Sequence, residues 1–140
     1  MIRLRQDALP LVGSSHRFVG AEHGDVGVSV FLFRGEAGRG PGPHRHPYDE
    51  IQFIQAGRGR WTVEGETFEA GAGDVLVIRA GEVHGFTAIG DEPLVQLDVH
   101  LSPTFIQENL APENLAPGNR AAPSGPAGTD GAPDRASHDS

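Results

Sequence analysis

Apolar positions in this chain fall in short runs, cut at close intervals by glycine, proline and acidic residues. From Val26 to Phe33 the text reads VGVSVFLF, a run rich in β-branched and aromatic residues, which is strand composition. Gly35 to Pro43 is glycine- and proline-rich and reads as a loop. Glu50 to Gln55 (EIQFIQ) and Arg60 to Glu64 (RWTVE) are strand-like again, separated at Gly57. Gly65 lies where a tight hairpin turn is expected, and Thr67 to Ala70 forms the return strand. Asp74 to Ile78 (DVLVI) reads as a buried strand, followed by strands at His84 to Ile89 and Leu94 to Leu101. Leu9 to Val12 offers a further short strand. The runs recur at roughly 8–12 residues with turn signals between, and no helical periodicity intervenes, which predicts an all-β antiparallel sandwich or barrel.

This pattern divides the chain in three. Residues 1–25 read as an N-terminal arm with edge strands, and residues 26–106 as the barrel. Residues 107–140 read as a disordered tail rich in Pro, Gly and Ala, short of the large apolar side chains that would order it. Ser102 to Asn109 has the composition for one short helical turn at the barrel's end.

Composition removes whole classes of chemistry. The chain has no Cys, which excludes thiolate nucleophiles, iron–sulfur clusters, Cys-ligated zinc and disulfides. It has no Lys either, which excludes Schiff-base catalysis, lysine-anchored PLP and a Walker phosphate loop. A net charge of -8 without a basic cluster argues against nucleic acid or an anionic membrane as partner. No apolar run approaches the roughly 20 residues of a membrane helix, and the N-terminus does not read as a signal peptide, so the expected compartment is the cytoplasm. The expected partner is a small-molecule substrate. Seven His remain as the main supply of chemistry.

Three of the candidate residues lie close together. His44, His46 and Glu50 share parity, and on an extended chain His44 and His46 project the same way, about 7 Å apart. Two imidazoles so spaced can share a metal. Pro47 interrupts the ladder before Glu50. A fourth ligand has to come from a neighbouring strand, and His84 opens one just after Gly81. Three imidazoles and a carboxylate suit Fe(II), Mn(II), Co(II), Ni(II), Cu(II) or Zn(II), and are too rich in nitrogen for Mg(II) or Ca(II). Four protein ligands in an octahedral shell leave two positions for water, dioxygen or a chelating substrate.

Gly38, His44, His46, Glu50 and Gly57 together resemble the first motif of the cupin superfamily, G-x5-H-x-H-x3-E-x6-G. Gly73, Gly81 and His84 are similar to the second, with Arg79 where the family has Pro and Ala88 where it has Asn. The resemblance runs from Val26 to Leu101, roughly half the chain, and is that of a small single-domain cupin. It implies a double-stranded β-helix, or jelly roll, with one divalent metal inside on His44, His46, Glu50 and His84, and often a homodimer. Fe(II) is the favoured ion. An oxygenase acting on a small enolic, catecholic or diketone compound is the leading activity, with Glu50 able to act as a base while it ligates. An oxygen-independent isomerase, lyase or epimerase and a non-catalytic binding protein are the alternatives.

Around the ligands, Gln52, Ile54, Tyr48, Phe86 and His100 are the candidate pocket residues. Gln52 shares parity with Glu50 and either holds substrate, orients a ligand or bonds another strand. Tyr48 is either a proton donor beside the ligands or loop surface, the latter slightly favoured. Gln96, Asp98 and His100 share one face of the last strand, expected to meet solvent, with the barrel mouth as the alternative. Phe31, Phe33, Phe53 and Trp61 read as core or dimer packing, and Arg45 and Arg79 as solvated.

Overall fold

Among the described residues eleven strands build the fold: β1 (Leu11–Val12), β2 (Ser15–Phe18), β3 (Ser29–Gly35), β4 (His44–Arg45), β5 (Glu50–Ala56), β6 (Arg58–Val63), β7 (Glu66–Gly71), β8 (Val75–Ile78), β9 (His84–Ile89), β10 (Leu94–His100) and β11 (Glu108–Asn109). They are seen in a computed structural model that describes residues 1–110. The expected disordered tail, beyond its first four residues, lies outside the described residues. One sheet has the order β1-β2-β3-β10-β5-β8 and the other β11-β4-β9-β6-β7, with every pairing antiparallel. This is the predicted all-β jelly roll. Among the described residues only two single 3-10 turns, Gln6–Ala8 and Gly20–Glu22, interrupt it. Among these residues no helix is long and apolar enough to cross a membrane.

Local sequence explains the joints. Glu64 and Gly65 link β6 to β7, both with positive φ (51° and 85°), the backbone of a type I′ hairpin turn whose twist matches the strands it joins. Gly57 has φ 77°, and a Cβ there would lie 2.3 Å from the Pro93 carbonyl oxygen, so both conformation and space demand glycine.

Register places the inward side chains of the six-stranded sheet in three rows. Ser15, Phe33, Gln96 and Ile54 stand across one. Arg17, Phe31, Asp98, Gln52 and Leu76 stand across the next. Ser29, His100, Glu50 and Ile78 form the third. Phe33, Ile54, Trp61, Ala70, Phe86, Ala88 and Leu94 close into the apolar core at one end of the barrel. Trp61 stacks on Phe86 with ring centroids 5.2 Å apart, and Phe33 meets Phe86 edge-on at 5.1 Å.

Several expectations need correction. Gln96, Asp98 and His100 face the interior, all at most 2% exposed, while Val95, Leu97 and Val99 take the outer face. The rule that apolar residues turn inward fails here because the interior at this end is a polar site. β8 is an edge strand, not a buried one: Val75 and Val77 are exposed and only Ile78 is fully buried. Phe53, paired in register with Val75, also points outward and is not core. The segment after β10 forms no helical turn. It runs extended into β11, which pairs Glu108 with Arg45 and Asn109 with His44, so ordered chain continues past residue 106.

Candidate metal centre

Both sheets contribute to one cluster at the polar end. β4 and β9 place His44 opposite His84, β5 begins with Glu50, and His46 follows β4 in the connecting loop. The turn that delivers His84 works without the family's proline. The Arg79 backbone N–H, which proline would lack, donates to Glu82 Oε1 at 2.8 Å. The N–H of Ala80 donates to Asp49 Oδ1 (2.8 Å) and that of Gly81 to the His46 carbonyl (2.8 Å), tying the turn to the loop that carries the other ligands.

One ligand atom from each of His44, His46, Glu50 and His84 lies within 4.8 Å of every other, and all four residues are buried. The imidazole tautomers follow from their outer partners. Each Nδ1 donates to a backbone carbonyl: His44 to Gly42 (2.7 Å), His46 to Ile106 (2.8 Å) and His84 to Glu82 (2.9 Å). Every Nε2 therefore carries its lone pair inward. Nε2 of His46 and of His84 stand 3.3 and 3.2 Å from Glu50 Oε1. Three lone pairs and a carboxylate turned on one point repel one another unless a cation sits between them, and nitrogen and oxygen donors of this kind fit a divalent transition ion.

The electrostatics agree. Burial, then the neighbouring His84 and His46, hold His44 well below the usual imidazole range, so it is a neutral donor. Burial alone would push Glu50 up, but the facing His100 and the close imidazoles of His46 and His84 outweigh it and hold its carboxyl well below the carboxylate range. Burial also takes His100 down to about 3. Asp98 moves the other way, raised well above the usual carboxyl range by burial and by the charge of Glu50.

A relay of hydrogen bonds fixes Glu50. Gln52 Nε2 donates to Glu50 Oε2 (2.9 Å), and Trp61 Nε1 donates to Gln52 Oε1 (2.8 Å). Of the open roles for Gln52, its contacts fill two: it holds the Glu50 carboxylate, and it bonds a polar group of another strand, Trp61 on β6. Tyr48 is not loop surface: its ring stacks on His46 at 5.0 Å and its hydroxyl lies 3.0 Å from His100 Nδ1. His100 Nε2 stands 3.7 Å from Glu50 Oε2, at the edge of the cluster. Ile54 and Phe86 lie in the apolar core beneath. His16 and His23 bond the carbonyls of Leu9 and Val19, away from the site.

Residues 101–110 cross the mouth of the cluster, and sequence reasoning missed them. Phe105 packs on Phe31 (4.8 Å), His100 (5.7 Å) and His46 (5.9 Å), and the next residue supplies the carbonyl that orients His46. Arg45, expected to be solvated, forms a 2.7 Å ion pair with Glu108 in which both side chains are largely buried, pinning this strap to β4. The adjacent apolar pair Phe105–Ile106, ahead of a stretch poor in large apolar residues, was the available signal.

The profile of the Cupin domain family matches residues 31–100, half of the chain. This protein is a cupin. It is 34% identical over 86 residues to the polyketide synthase CurC of Streptomyces cyaneus, covering 61% of this chain and 53% of that one. To an uncharacterised protein of Streptomyces coelicolor it is 34% identical over 65 residues, covering 46% of this chain and 62% of the relative. The cupin thus spans a little over half the length of the curated relatives it matches. Among solved structures it is similar to a variant of oxalate decarboxylase from Bacillus subtilis (TM-score 0.68, 26% identity, 76% of this chain and 31% of that one). It is also similar to a cupin protein from Bacteroides fragilis (TM-score 0.58, 26% identity, 73% and 82%). A further Bacillus subtilis oxalate decarboxylase structure, with TM-score 0.64 and 28% identity over 72% of this chain and 29% of that one, concerns Mn(II) centres.

Proposed function

We propose that this cupin is a metal-dependent oxygenase whose substrate is a small enolic, catecholic or diketone compound that chelates the metal through two oxygens. The observation that carries this reading is the convergence of His44, His46, Glu50 and His84, with each imidazole turned inward by a backbone carbonyl. Fe(II) is the favoured ion, and the Mn(II) centres of oxalate decarboxylase make Mn(II) the first alternative. A divalent ion held there supplies Lewis acidity and an anchor for an anionic chelate. The chain's own residues do the rest. The three imidazoles and Glu50 would hold the ion. Gln52 keeps Glu50 Oε2 occupied, so that Oε1 is the ligating atom. Glu50 accepts a substrate proton, and the Phe105 strap keeps water out.

Two likenesses support the substrate class. CurC is named a polyketide synthase, and polyketides are β-carbonyl chains that enolise and chelate. Oxalate likewise offers two oxygens to one ion. Oxygen uptake by the Fe(II)-loaded full chain, screened against enolic and catecholic compounds, tests the proposal. Uptake abolished by His46→Ala supports it, and uptake that survives that substitution refutes it.

A second reading has its own observation. The Tyr48 hydroxyl bonded to His100, beside Glu50, is a proton-transfer pair that an oxygen-independent isomerase, lyase or epimerase would use. Turnover under strict anaerobiosis decides for it. Reversible binding without product after long incubation would make the protein a binding module. We also place the protein in the cytoplasm as a homodimer, joined through the exposed Phe53, Val75 and Val77 on the outer face of β5 and β8. Light scattering of wild type beside Val77→Asp checks the dimer.

A further inference from the structure

A fourth imidazole borders the metal cluster and differs from the three ligands in what it turns inward. His100 is 2% exposed, and its Nε2 has no hydrogen-bond partner. It stands on β10 directly opposite Glu50 on β5, so the strand register sets imidazole and carboxylate side by side. Phe31 packs on its ring at 4.5 Å and His46 meets it edge-on at 4.8 Å, which together fix where Nε2 points. Glu50 Oε2 lies 3.7 Å from Nε2, beyond hydrogen-bond reach.

The tautomer of His100 follows from its outer partner. His44, His46 and His84 each meet a carbonyl at Nδ1, and a carbonyl only accepts, so each keeps its proton outside and its lone pair inside. His100 Nδ1 instead meets the Tyr48 hydroxyl at 3.0 Å. The backbone N–H of Ile106 donates to that same oxygen at 3.4 Å, which turns the hydroxyl proton toward Nδ1. His100 then carries its own proton on Nε2. Charge gives the same answer, because an N–H facing the Glu50 carboxylate is attracted to it and a lone pair facing it is repelled. One residue of the strap thus sets two imidazoles in opposite senses: Ile106 acts through its carbonyl on His46, and through its N–H and Tyr48 on His100.

A buried N–H needs an acceptor, and a metal ion is none, since it takes lone pairs. An atom bonded to that ion qualifies. Glu50 would ligate the ion and His100 Nε2 lies 3.7 Å from its carboxylate, so a donor atom on the same ion stands beside both. Nothing has to extend into the apolar core. We propose that His100, through Nε2–H, donates a hydrogen bond to the metal-bound atom of a small anion, of the class of azide, a carboxylate or an enolate, held at the metal beside Glu50. This role rests on the metal centre read above. It adds a residue that selects for ligands whose metal-bound atom keeps a second lone pair.

Two measurements on the full chain test it. In isotope-labelled wild type loaded with Zn(II), long-range proton–nitrogen correlation NMR of the imidazoles reads each tautomer without any substitution. The expected result is Nδ1–H with Zn(II) on Nε2 at His44, His46 and His84, and Nε2–H at His100. A proton on Nδ1 alone at His100, or Zn(II) on its Nε2, overturns the proposal. In the Co(II)-loaded protein, azide titration followed on the visible cobalt band reads the hydrogen bond itself. His100→Phe keeps a ring against Phe31 and loses the donor, and should bind azide about tenfold more weakly with Co(II) uptake unchanged. Azide that fails to bind the Co(II) wild type, or binds wild type and variant equally, overturns the proposal. So does loss of Co(II) from the variant, which would make His100 a fifth ligand. If His100→Phe does not fold, the wild-type tautomer decides. If the wild type takes up neither Zn(II) nor Co(II), the metal reading fails and the donor role with it, whereas uptake with the other tautomer ends the donor role alone.

Discussion

The two ends of the barrel interior are built on the same strands and obey opposite chemistry. β5 turns Glu50, Gln52 and Ile54 inward in succession, and β10 turns Leu94, Gln96, Asp98 and His100. One end closes on Phe33, Trp61, Phe86 and Leu94. The other gathers His44, His46, Glu50 and His84. The apolar end supplies burial energy and fixes the register. The polar end draws on that register to hold charges and lone pairs that would not assemble alone. Stability therefore lives at one end and function at the other, and Gln52 is the joint, bonded to Trp61 on one side and to Glu50 on the other.

The largest expected effect breaks the apolar end. Trp61→Ala removes a fully buried ring and the donor to Gln52, and should cost about 3–5 kcal/mol in urea unfolding of the metal-free protein. In His44→Ala the metal-free protein should lose far less, since a buried imidazole with no cation to hold gives little stability, yet metal retention should vanish. Equal stability losses for the two would dissolve the distinction between the ends.

Gln52→Leu cuts the joint. It frees Glu50 Oε2 and leaves Trp61 Nε1 unpaired, so both ends should feel it: metal affinity down by about 10–100-fold and stability down by about 1–3 kcal/mol. Competition with a chromophoric chelator reads the first and urea melts the second. Loss of one without the other would show that the ends are independent.

Acid should act on the polar end. His100 is held at about 3 in the fold and His44 well below its usual range, whereas both take up protons near pH 6.5 when unfolded. The unfolded chain binds the extra protons, so stability of the metal-stripped protein is full above about pH 6.5 and falls as pH drops toward the folded values. His100 alone accounts for roughly 3 kcal/mol by pH 4.5. Denaturant melts from pH 8 to 4.5 check the slope, and His100→Phe should flatten it.

The smallest effect lies outside both ends. Glu69 pairs with Arg58 and Arg60 on the half-exposed outer surface of β6 and β7. Glu69→Gln should shift stability by less than about 1 kcal/mol and leave metal binding unchanged.

The same contrast governs what the sequence disclosed. Strand runs and turn chemistry predicted an all-β antiparallel sandwich or barrel, because the turn at Glu64–Gly65 and the glycine at Gly57 answer local demands that a sequence displays, and the motif resemblance narrowed it to the jelly roll. The residues that converge in the cluster were legible from their spacing, and His84 from the glycine turn before it. The inward orientation of Gln96, Asp98 and His100 was not, because hydrophobic alternation names the buried face only where the buried face is apolar. β8 misled for the mirror reason: Val75 and Val77 are apolar yet lie on the outer face of an edge strand. The strap escaped notice because its role depends on a carbonyl, that of Ile106, and backbone groups leave no mark in a sequence. The buried tie between Arg45 and Glu108 spans most of the barrel in sequence and no local pattern announces it.

The central claim is that His44, His46, Glu50 and His84 hold one divalent transition ion. The direct measurement is metal content by inductively coupled plasma mass spectrometry, on full-length protein purified without added metal and again after reconstitution, beside His44→Ala/His84→Ala. The account predicts close to one transition ion per chain, iron or manganese foremost, in the wild type and none in the double variant. No bound metal in the wild type after exposure to each candidate ion, or equal metal in the two proteins, would contradict it.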